Sequence, residues 1–84
     1  MSMAYAIESR QKINAQWTKW SACSFNPNLD YAKRDLIDIF NTKKLNDYCR
    51  DMEGAWGEMV NLAQNVEVGQ VIECDDRQWR IVMV

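Results

Sequence analysis

Histidine is absent from this 84-residue chain. With it go the usual general base near neutral pH and the Ser-His or Cys-His nucleophile pair. Proline occurs once, at Pro27. Glycine occurs three times, at Gly54, Gly57 and Gly69, too scattered to form a phosphate-cradling loop. The three cysteines, Cys23, Cys49 and Cys74, stand far apart without a CxxC pair. They do not supply the four closely spaced ligands of a zinc site, so no metal and no cofactor is expected. An odd cysteine count without an apolar leader at the N-terminus reads as reduced thiols in a cytoplasmic protein. No apolar run approaches the ~20 residues of a membrane span. The absences argue against an enzyme and against a membrane protein.

What is present is a core-forming composition. Hydrophobic residues make up 48% of the chain and aromatics 11%, enough to argue against disorder. The length corresponds to one domain, residues 1–84. Four tryptophans are a heavy load for this size. Either they fill a small core, each aromatic burying roughly 150–250 Å², or one or two lie in an exposed patch that docks a partner. Ten basic and twelve acidic residues give a net charge of −2 with no basic cluster, which argues against direct nucleic-acid binding.

Taken in order, the apolar spacing predicts an α+β domain of three helices followed by a C-terminal β-hairpin packed on them. Met3, Ala6/Ile7, Ile13, Trp17 and Trp20 mark one face of a first helix over residues 3–22, with a gap at Arg10 that its aliphatic stem could cover. The SACSFNPN stretch breaks the period, and Phe25 is expected to tuck into the core. Asn26 as N-cap and Pro27 at the first position start a second helix over 27–40, with Asp30 near its positive end. Asn41-Thr42 is the expected corner into a third helix over 43–64. After Asn65 the period shortens to two, and the hairpin spans residues 70–84 around Asp75-Asp76-Arg77. There Trp79, Ile81 and Met83 should face the helices and Val82 and Val84 should face out. The last strand is expected to be an open edge.

The strongest periodic signal is LNDYCRDMEGAWGEMVNLA, Leu45 to Ala63, whose apolar stripe passes Met52, Trp56 and Met59. Gly54 and Gly57 interrupt that helix beside Trp56. They mark either a close backbone approach or kink, or a shallow groove that receives a partner's side chains. Acids surround the groove at Asp47, Asp51, Glu53 and Glu58. Trp56, Gly54, Gly57, Asp47, Asp51, Glu53 and Glu58 together form the candidate partner-binding site, an aromatic anchor with a charged rim. Acids would favour a partner with a basic surface.

The sequence therefore points to a non-catalytic protein-binding module, an inhibitor or adaptor docking on a basic surface of a larger complex. In size and acidity it resembles the small phage-encoded inhibitors of host defence or host enzymes, a likeness of general character without a shared motif. Two alternatives remain open. One is a homo-oligomer assembled through the third helix or the C-terminal edge strand. The other is a winged-helix-like nucleic-acid binder, against which stand the acids of the third helix and of the hairpin turn.

Overall fold

The computed structural model describes residues 4–47, 53–74 and 76–84, with side chains described for all of these except 44–47 and 53–56. The chain forms an α+β domain in which strands come first. The elements are β1 (Tyr5–Ile13), β2 (Gln16–Trp17), β3 (Ser21–Asn26), α1 (Leu29–Asp47), α2 (Glu53–Gln64), β4 (Ile72–Cys74) and β5 (Arg77–Met83). All strand pairings are antiparallel. Strand β1 is central: β5 runs along one side in unbroken register from Tyr5↔Met83 to Gln11↔Arg77, and β4 follows β5. On the other side of β1, β2 and then β3 pair in succession.

The expected helix over 3–22 is thus three strands. Asn14 and Ala15 both adopt left-handed backbone, with φ of 52° and 65°, and close a two-residue turn of the hairpin-favouring kind between β1 and β2. Asparagine tolerates that region and alanine does not favour it. The Arg10 gap in the helical stripe was the telling position. On a strand of period two, Arg10 shares a face with Glu8 and Lys12, while Tyr5, Ile7 and Ser9 share the other. Phe25 does not tuck into the core; it is 67% exposed on β3.

Helix α1 is capped by Asn28, not by Asn26. The Asn28 Oδ1 accepts the Tyr31 N–H at 2.9 Å, and its backbone oxygen accepts the Ala32 N–H at 3.1 Å. Asp30 lies in the first turn, on the favourable side of the helix dipole. The expected corner at Asn41-Thr42 lies inside α1. Thr42 donates its hydroxyl to the Asp38 carbonyl one turn back at 2.9 Å, which lets a threonine sit in a helix interior. The helix expected over 43–64 is therefore divided. Its first residues belong to α1, Glu53–Gln64 form α2, and Tyr48 to Met52 lie outside the described residues. Among the described residues two helices stand where three were expected, and three strands precede them, so the winged-helix outline of three helices followed by a hairpin is not the arrangement found.

Both helices cover one face of the sheet. Ala32, Leu36 and Phe40, spaced by four on α1, are buried with Met59 and Ala63 of α2 and Val66 just beyond it. They pack on Ile7, Ile72, Trp79 and Ile81 of the sheet. Phe40 meets Trp79 edge-to-face with ring centroids 5.1 Å apart, a geometry favoured by aromatic quadrupoles. Between α2 and β4 the chain turns at Gly69, which has φ 87° and donates its N–H to the Ile81 carbonyl at 2.8 Å. Strands β4 and β5 pair antiparallel as one edge of the five-stranded sheet, not as a separate hairpin laid on helices. Strand β5 pairs with β1 along its length and with β4 over Arg77–Trp79, so over that part the C-terminal strand is not the open edge expected. Trp79 and Ile81 are buried, whereas Met83 is 52% exposed. Among the described residues no helix is long and apolar enough to cross a membrane.

Candidate functional site

The side of the sheet away from the helices carries a connected layer of cations and indoles. Strand register builds it, because directly opposed residues of paired strands share a face. Glu8 opposes Arg80 and Arg10 opposes Gln78 across β1 and β5. Glu73 opposes Gln78 across β4 and β5, and Lys12 opposes Trp17 across β1 and β2. On the far side of β1, Ala6 opposes Phe25 and Glu8 opposes Ala22.

Trp20 is the centre of the layer. The Arg80 guanidinium carbon lies 4.1 Å from the Trp20 ring centroid and that of Arg10 lies 4.5 Å from it. Arg10 also reaches Trp17 at 5.2 Å, and the Lys12 ammonium lies over Trp17 at the same distance. Each such contact contributes about 0.5–1 kcal/mol at a partly exposed site. Hydrogen bonds fix the guanidinium planes. Arg80 Nε donates to Glu8 Oε1 at 2.8 Å, and Arg10 Nε donates to Gln78 Oε1 at 2.7 Å. Gln78 Nε2 in turn donates to Glu73 Oε1 at 2.6 Å. Glu8 and Arg80 are 21% and 31% exposed, so solvent screens the ion pair and it adds less than about 1 kcal/mol to stability. Its effect is orientation.

Two arginines held against an indole are prepared donors. Among the described residues both hydrogen-bond through Nε, and the Nη hydrogens of each make no hydrogen bond within the chain. Those hydrogens suit oxyanions, carboxylate above all, in bidentate geometry. The ordering entropy of the side chains has been met in the fold, so a ligand need not supply it. Where β1 extends beyond the helices, Ser9, Gln11, Ser21 and Arg77, whose register puts them on the face opposite the arginine–tryptophan layer, line with Arg10 and Thr18 a shallow depression of ≈ 160 Å³. That is well below the roughly 300–1,000 Å³ of small-molecule sites, and suits surface contact better than enclosure.

The residues named from the sequence fall differently. Gly57 lies on α2, half-buried, and a methyl group there would meet no heavy atom within 4 Å. Among the described residues no other backbone comes close to Gly57, and they leave the space beside it open. Glu58 is exposed on the same helix. Asp47, Glu53, Gly54 and Trp56 belong to helices, but their side chains lie outside the described residues, as Asp51 does entirely. The arginine–tryptophan layer is not apparent from sequence because Glu8, Arg10, Lys12, Trp17 and Trp20 fall at spacings read as a helix, while Glu73, Gln78 and Arg80 lie on the C-terminal strands. Its sequence signal was Glu8, Arg10 and Lys12 alternating at period two just before Asn14. Comparison of the chain with family models, curated proteins and solved structures finds no match.

Proposed function

We propose that the protein is a non-catalytic protein-binding module that recognises its partner through the open face of the sheet. The observation that carries this reading is the placement of Trp17 and Trp20. Both stand half-buried on the face away from the core, against Arg10, Lys12 and Arg80, while Trp79 fills the core. Tryptophan and arginine are the residues in which interface energy concentrates. Three cations against Glu8 and Glu73 leave the face mildly positive, so the matching partner surface presents carboxylates. Contact of this kind would let the module act as an inhibitor or adaptor by occupying a surface, without chemistry of its own.

The open space at Gly57 beside exposed Glu58 supports a second reading, in which α2 receives a partner with a basic surface. The two readings separate by charge reversal. Affinity capture from lysate, with and without nuclease, is compared for wild type, Trp20→Ala, Arg10→Glu and Glu58→Lys, each with circular dichroism to confirm the fold. Loss of a stoichiometric partner on Trp20→Ala and Arg10→Glu alone supports the sheet face. Truncation of such an anchor weakens binding by roughly 30-fold or more, the equivalent of 2 kcal/mol. Loss on Glu58→Lys alone moves the site to α2. Unchanged capture by all three variants refutes both, and capture that nuclease abolishes replaces the protein partner with a nucleic acid.

A further inference from the structure

We infer that the outer edge of β3 pairs with the β3 of a second copy, joining two sheets across a two-fold axis. This backbone edge is distinct from the arginine–tryptophan cluster and from the C-terminal strand, although Ala22 and Phe25 stand on the open face opposite Glu8 and Ala6. Among the described residues β3 pairs with β1 alone, so its outer backbone edge meets no other strand. An unpaired edge of this kind is normally blunted by charge, proline, shortness, a bulge or a covering element, and of these β3 carries the bulge at Cys23. Strand β3, Ser21-Ala22-Cys23-Ser24-Phe25-Asn26, has no charged residue and no proline, and its six residues are a full strand length. The opposite edge differs. Strand β4 has three residues, one of them the exposed Glu73, and Asp76 follows close by.

The occupant follows from the side chains along β3. A neutral strand meets a copy of itself without repulsion, whereas an acidic or basic partner strand would gain nothing from it. The register of β3 on β1 shifts between Ile7 and Glu8, leaving Cys23 as the extra residue. That bulge puts Ala22 and Phe25, three apart, on one face. Antiparallel pairing that sets Phe25 of each copy against Ala22 of the other therefore seats a large ring over a small residue twice, in an arrangement that a two-fold axis repeats without conflict. It would cover Phe25, now 67% exposed.

Sedimentation velocity from roughly micromolar to millimolar protein tests the pairing, a range that spans weak to firm self-association of small interfaces. The expected result is a concentration-dependent dimer that Phe25→Asp and Ala22→Lys each return to monomer. Both positions are exposed in the single chain, so neither change should unfold it, and circular dichroism verifies this. Arg10→Glu, which alters the open face, should leave the dimer intact, so failure of this inference and failure of the proposed function are distinguishable. Hydrogen exchange should show slower exchange of alternate amides from Ala22 to Phe25 at high protein concentration than at low. A monomer throughout the range overturns the inference. So does a dimer that both β3 variants leave unchanged, or one without β3 protection.

Discussion

Replacing Gly57 by alanine should stabilise the protein, and replacing Gly69 by alanine should destabilise it, although neither added methyl group would touch another described part of the chain. At both positions no described residue beyond the immediate chain neighbours and the helix's own backbone comes within 4 Å of the new carbon. Backbone conformation alone separates them. Gly57 lies in the middle of α2, where alanine is favoured over glycine by about 0.8–1.0 kcal/mol. Gly69 holds φ at 87°, where a β-carbon costs roughly 1–2 kcal/mol. That loss is offset only in part by the ~0.4–1 kcal/mol gained from restricting the unfolded chain. The pair should therefore move in opposite directions, by about +1 and about −1 kcal/mol. For a domain of this size each kcal/mol shifts Tm by roughly 4–8 °C. Thermal and urea unfolding followed by circular dichroism would read both changes, with the urea m-value unaltered. If Gly57→Ala lowers Tm, some group does pack closely at that position, and the open space on α2 that supports a docking groove is not there.

Three further changes test the fold. Ala15→Gly relieves left-handed backbone at the β1–β2 turn, where Ala15 has φ 65°, and should raise stability by about 0.5–1 kcal/mol; an unchanged urea midpoint would count against the turn. Asn28→Ala removes the side-chain acceptor of the Tyr31 N–H and should cost about 1 kcal/mol, whereas Asn26→Ala, at the cap expected from sequence, should cost less. Phe40→Ala empties the site against Trp79 at the centre of the core. It should cost about 3–5 kcal/mol out of the roughly 4–13 kcal/mol available to a chain of this length, with a large fall in urea midpoint; a loss under 1 kcal/mol would mean that the helices do not pack as described.

The residues from Pro27 onward announced much of their local structure. Ala32, Leu36 and Phe40 recur by four, Trp79 and Ile81 alternate by two, and both patterns survive in the folded chain because burial on one face enforces them. Boundaries were less legible. Thr42 resembles a cap, yet its hydroxyl returns to the Asp38 carbonyl and the helix continues. The N-terminal third was misleading because its strands bury few residues: Ala6 and Ile7 are the buried residues of β1, and none of β2 or β3 is buried. A strand whose open face carries Glu8, Arg10 and Lys12 does not show the apolar alternation by which strands are usually read. Apolar residues that fell at helical spacing by position, Ile7, Ile13, Trp17 and Trp20, then imitate an amphipathic helix.

By itself the sequence determined the helical core stripe of α1, the alternation of β5, and the want of histidine that removes the commonest acid–base chemistry. Those are local properties, set by neighbours along the chain. Tertiary structure alone decided that β1 lies between β5 and β3, and hence that Arg10 and Arg80, 70 residues apart by number, press on one indole. No pattern within a single segment encodes that meeting. It depends on the register between strands from opposite ends of the chain, which is fixed only when the helices bury Ile7, Trp79 and Ile81 on the other face.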